Sequence, residues 1–163
     1  MSSSLDYIKD LRDTGNYQQS IELAKKLSSE TPENQASLYA IMAHCYILIG
    51  DLIEAEACLE KSNQSEPRNP LWGWNKSRLL IKLKKPSEAL SLAKGILKDF
   101  PDDFEGLTQV GACLRITNEQ SSSLKYLDRA IQFKPDYAEA LFNRGLVNLW
   151  DLYSGLPLPS PYI

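Results

Sequence analysis

Apolar residues recur at helical spacing through most of this chain, in stretches of about a dozen residues divided by short polar segments. The clearest case lies over 104–135. Leu107, Val110, Gly111 and Leu114 share one face of a helix predicted over about 104–116. A polar break follows at Thr117, Asn118, Glu119 and Gln120. Leu124, Leu127, Ala130 and Ile131 then mark the buried side of a second helix over about 121–133. Pro135 closes the pair, because a proline pushes the residue before it out of the helical region.

The same grammar returns upstream. Tyr39, Met42, Ala43 and Tyr46 form an apolar stripe, Gly50-Asp51 makes a tight turn, and Ala55, Cys58 and Leu59 line the next helix. Trp72, Leu80 and Leu83 lead to a turn at 84–87, where Pro86 suits the first position of a helix carrying Ala89, Leu92, Ala93 and Ile96. A weaker first pair has Leu5, Ile8 and Leu11, a Gly15-Asn16 turn, and then Tyr17, Ile21, Ala24 and Leu27. The closing prolines Pro32, Pro67, Pro101 and Pro135 stand 35, 34 and 34 residues apart. A period of that length signals stacked helix pairs. The expected units are about 4–35, 36–69, 70–103 and 104–137, then a lone helix over 138–153. Residues 154–163, with Pro157, Pro159 and Pro161, are expected to form an extended tail.

These elements are carried by 163 residues with a net charge of −3, enough for one domain with a real core and without the basic excess of a nucleic-acid or membrane surface. No apolar run reaches membrane-spanning length. The start lacks the basic and apolar regions of a secretory leader, and Cys45, Cys58 and Cys113 show no CxxC spacing. Reduced, packed thiols and a cytoplasmic location are expected.

The small residues in register are Ala43, Ser77, Gly111 and Gly145 where two helices cross, then Ser20, Ala55, Ala89 and Ser123 early in the second helix. Tyr46, Leu80 and Leu114 follow three places after the crossing residue, and Ser62 and Ala130 stand near the end of the pair. With the closing prolines, this pattern over about 4–150 resembles the tetratricopeptide-repeat family. The resemblance implies an all-α, right-handed superhelical solenoid of antiparallel helix pairs: three well-formed repeats, a weaker first one and an additional C-terminal helix. Lys76 and Arg144 depart from it, standing where the family packs leucine, and local looseness is expected there. Ile96 departs too, in place of a small residue.

In this family the first helix of each pair lines a concave wall, and protein–protein recognition is the implied function. The implied partner-binding groove consists of Lys9, Arg12, His44, Trp74, Arg78, Lys82, Thr108, Arg115, Phe142 and Asn143. Trp74, Arg78 and Arg115 make its centre basic and aromatic, suited to an acidic or carboxylate-bearing peptide. Trp72 is expected to face the core and Trp74 the groove, since two tryptophans two apart on one helix point in different directions. Some members clamp chaperone carboxylates. Asn75 matches one clamp position, but Ala40, His44, Glu105 and Gln109 stand at the others, which argues against a clamp.

Catalysis is not expected. The chain has no glycine-rich phosphate loop, GxSxG, HExxH or metal-ligand spacing, so no cofactor, metal, nucleic acid or membrane partner is implied. The Glu54/Glu56 and Asp102/Asp103 clusters fall at helix starts, where carboxylates serve the helix dipole. Two rival readings stand beside the binding module. Tyr126–Gly145 is similar to repeat regions ahead of bacterial glycosyltransferase or sulfotransferase domains, which would make the chain a substrate-docking arm. Leu141, Leu149 and Trp150 would alternatively stack on a second copy as a means of self-association.

Overall fold

The structure is a computed structural model that describes residues 4–67 and 69–153; the proline-rich segment 154–163 lies outside the described residues. Among these the chain is helical throughout and forms an all-α solenoid of helix pairs. The helices are α1 (Ser4–Asp13), α2 (Tyr17–Glu30), α3 (Gln35–Ile49), α4 (Leu52–Ser65), α5 (Pro70–Lys82), α6 (Pro86–Leu97), α7 (Phe104–Ile116), α8 (Gln120–Phe133) and α9 (Ala138–Tyr153).

One turn is used four times. Gly15, Gly50, Lys84 and Asn118 hold the same place after the first helix of successive pairs, and all have positive φ, at 85°, 88°, 59° and 64°. In each, the next residue's N–H reaches back to a carbonyl five positions earlier: Asn16 to Leu11, Asp51 to Tyr46, Lys85 to Leu80 and Glu119 to Leu114. This closes the helix end by satisfying carbonyls that the helix leaves open. Helix starts are equally local. The carboxylates of Asp51 and Asp103 accept from the backbone N–H of Glu54 and Gly106, and Asn69 caps α5 ahead of Pro70.

Among the described residues the helices group into two compact units, divided between Ile96 and Leu97. In the first, α3 touches α1, α2, α4 and α5 and is the central element. Ile41, Met42, Leu38 and Leu59 join Ile8, Ile21 and Leu79 in its core. In the second, α7, α8 and α9 pack on one another around Leu107, Val110, Leu114, Leu127 and Val147.

The small residues do more than allow close approach. Ser20 Oγ donates to the Ile8 carbonyl at 2.9 Å and Ser123 Oγ to the Gly111 carbonyl at 2.7 Å. In the third pair the roles reverse, and Ser77 Oγ donates to the Ala89 carbonyl at 3.2 Å. Each buried hydroxyl is thereby satisfied, since leaving it unpaired costs about 1–3 kcal/mol. Gly111 is under real pressure: a Cβ there would stand 2.6 Å from Leu127 Cγ.

Four expectations change. Gly145 is not at a crowded crossing, because a Cβ there would meet nothing within 4 Å; no described helix crosses α9 at that point. Leu83 ends α5 and is exposed rather than buried. Ile96 fills a place vacated elsewhere: a Cβ on Gly73 would overlap Ile96 Cδ1, at 1.8 Å. A missing side chain on α5 is matched by a larger one on α6. Lys76 and Arg144 are not loose either, since each is tied to the preceding helix, Lys76 to Glu56 at 2.6 Å and Arg144 to Asp128 at 2.7 Å.

Candidate binding surfaces

In the first unit the candidate surface is built from α1, α3 and α5. Lys9 is half-buried and Lys82 is exposed, but Arg12, His44, Trp74 and Arg78 are all buried. Trp74 corrects the expectation most sharply. It is 0 % exposed, whereas Trp72 is the partly buried one, packed against the edge of the core. Two directions on α5 are enclosed because α3 and α4 both pack against it, so divergent side chains need not mean that one reaches solvent. His44 is covered for a similar reason. The α3 sequence is apolar around its whole circumference, and such a helix lies inside its neighbours.

The buried polar groups of this wall hold one another. Asn75 Nδ2 donates to the Ala40 carbonyl at 2.8 Å, tying α5 to α3. Its Oδ1 accepts from the Arg78 guanidinium at 2.9 Å, and Arg78 is only 6 % exposed. Arg12 donates through Nε to the Asp13 carboxylate at 2.8 Å. The Trp74 indole Nε1 meets no acceptor among the described residues.

In the second unit the corresponding residues lie on α7 and α9. Thr108 is buried, its hydroxyl donating to the Phe104 carbonyl at 2.7 Å. Arg115 is half-buried, and desolvation lowers its pKa from the usual arginine value. Its Nε donates to Asn143 Oδ1 at 3.2 Å, and Asn143 Nδ2 donates to the Glu139 carbonyl at 2.8 Å. Sequence reading missed the rest of this network. Gln109 Nε2 and the Tyr137 hydroxyl donate to the two oxygens of the Glu139 carboxylate at 2.7 and 3.0 Å. The recurrence of amide residues at one repeat position (Asn75, Gln109, Asn143) was the available signal. Phe142, in contrast, is largely exposed.

The thiols of Cys45, Cys58 and Cys113 are free and buried. Burial, with the Glu54 carboxylate nearby, pushes the Cys58 pKa from 9.0 up to about 11. The fold therefore prefers the protonated thiol. This contribution is complete below pH 9.0, falls as pH rises towards 11, and amounts to about 2–3 kcal/mol. Urea unfolding of wild type and Cys58→Ala at pH 8 and pH 11 checks it. The stability difference between the two should shrink at the higher pH, and a difference independent of pH contradicts the assignment.

Among the described residues no group of three His, Cys, Asp or Glu side chains could hold a metal ion, and no helix is long and apolar enough to cross a membrane.

Helix pairs repeated with one turn type, serine bridges across the pairs and amides linking successive first helices define a helical-repeat protein. Residues 11–73 match the family described as Tetratricopeptide repeat, and this stretch belongs to it. Solved tetratricopeptide proteins share the fold. The thermophilic protein TTC0263 of Thermus thermophilus is 15 % identical, with a TM-score of 0.70 over 90 % of this chain and 80 % of that one. The first repeat domain of Spaghetti (RPAP3), bound to the HSP90 peptide SRMEEVD, is 19 % identical with a TM-score of 0.59, covering 73 % of this chain and 94 % of that one. YrrB, described as having an unusual peptide-binding site, is 19 % identical with a TM-score of 0.52, covering 91 % and 76 %. No curated protein matches the chain in sequence.

Proposed function

We propose that the chain is a protein-interaction module that receives an extended or helical partner segment on the first-helix faces of its repeats. The observation that carries this is the preorganised wall. Asn75 fixes α5 to α3 and holds Arg78, so the surrounding surface is set before any ligand arrives. Binding to a preset surface avoids an ordering cost. The peptide ligands named for the two similar structures support the same reading.

The contacts available on this surface are fewer than the sequence suggested. Lys9 and Lys82 offer charge in the first unit, and Arg115 offers charge in the second. A partner with acidic groups suits the cations. A chaperone carboxylate clamp fits poorly, because both ends of the Asn75 amide are already engaged.

Capture from source lysate tests the proposal, with wild type beside Lys9→Glu/Lys82→Glu and beside Arg115→Gln, all first shown equally helical by circular dichroism. A band captured by wild type and reduced about tenfold or more in one variant is expected, as for loss of central contacts. Identical capture by all three would remove the first-helix face as the binding surface.

A further inference from the structure

We infer that the outer face of α9 is a two-fold interface joining two copies of this chain through an antiparallel α9–α9 contact. The inner face of α9, with Ala140, Asn143 and Val147 buried, is spent on the second unit, where the helix packs on α7 and α8. The outer face is apolar and uncovered: Leu141 is 43 % exposed, Phe142 66 %, Leu149 52 % and Leu152 70 %. At 100° per residue these four lie within about 60° of Gly145 around the helix.

Gly145 stands near the middle of α9, where glycine is a poor helix former. Nothing inside the described molecule requires it, since an added Cβ would find open space. Its counterpart Gly111, one repeat earlier, has Leu127 pressed against it. The smallness of Gly145 thus fits a contact made from outside.

The spacing around it is self-complementary. Leu141 lies four residues before Gly145 and Leu149 four after; Ala138 lies seven before and Leu152 seven after. In an antiparallel pair crossing at Gly145, Leu141 faces Leu149 of the second copy and Ala138 faces its Leu152. Each position then meets its two-fold mate and is met by it, the relation an isologous interface needs, with Phe142 facing Asn148 of the second copy. With Ala138 and Asn148, the exposed part of this face amounts to roughly 400–500 Å² per copy, given 150–250 Å² for a whole aromatic side chain. The pair would bury at most about 800–1,000 Å², in the range of weak, transient associations. A weak, concentration-dependent dimer follows.

Sedimentation equilibrium of the purified full chain from about 1 to 300 μM tests this, with wild type beside Gly145→Glu and Leu149→Glu. Wild type should move from monomer towards twice the monomer mass, with association weakened at least tenfold in both variants. Gly145→Glu is informative because its side chain enters open space in the monomer and favours the helix, so the loss is accompanied by a monomer melting temperature no lower than that of wild type. A constant monomer mass for wild type at every concentration overturns the inference and leaves this face to another segment or a different partner. Equal dimerisation by all three chains also overturns it, placing the interface elsewhere.

Discussion

Trp74→Ala is expected to cost about 3–5 kcal/mol of folding stability, the range for removing a large aromatic side chain from a packed interior. The ring is fully enclosed on a helix that packs against α3, α4 and α6. The cavity cannot close easily, because Asn75 and Arg78 on the same helix are held by hydrogen bonds to α3 and to each other. Trp74→Phe should cost much less, since it keeps most of the apolar volume and removes an indole N–H that has no acceptor among the described residues. Urea unfolding followed by circular dichroism measures both. An alanine variant within 1 kcal/mol of wild type would mean that the tryptophan is not a core residue. This also bears on function, because a Trp74 variant that loses partner binding would report a damaged scaffold, not a lost contact.

The second large effect concerns Gly73 and Ile96. Gly73→Leu should destabilise by about 2–3 kcal/mol, an overpacking cost that exceeds any gain in helix propensity. The first added carbon would already overlap Ile96 Cδ1. Ile96→Ala alone should also destabilise, by leaving the space over Gly73 empty. The double variant Gly73→Leu/Ile96→Ala should recover at least 1 kcal/mol relative to the sum of the two, because the leucine occupies the vacated volume. Additive losses in the cycle would show that Ile96 does not fill the space above Gly73.

The four turns show how far local sequence carries. Gly15 and Gly50 announce a left-handed residue, since glycine bears no Cβ penalty there. Asn118 announces it less strongly, as the residue that most often replaces glycine there. Lys84 gives no such sign, and only its place in the repeat, at the period of the prolines, marks it. Lys84 accepts a strained φ because the backbone bonds that close its turn are the same as in the other three. The serine bridges divide in the same way. Ser20, Ser77 and Ser123 are legible as small residues at crossings, but the carbonyl each one reaches lies on the other helix of its pair.

The candidate site was less legible than the fold. Periodicity assigns a face to Trp74, His44 and Arg78 but not what lies over that face. For α3 the warning was present, because Leu38, Ala40, Ile41 and Ile47 leave no polar side for solvent. For α5 no such warning existed, since Asn75, Lys76 and Arg78 read as a solvated helix until their partners are placed.

The sequence by itself determined the helices, their turns, the period and the repeat family, because each rests on interactions spanning a few residues or on a spacing that repeats. Only the tertiary structure decided which polar side chains are buried and spoken for, that Gly73 and Ile96 exchange sizes, and that Gly145 faces open space. Those properties are set by the neighbours that packing brings together, 23 residues apart for Gly73 and Ile96 and 35 for Asn75 and the Ala40 carbonyl. No local pattern encodes them.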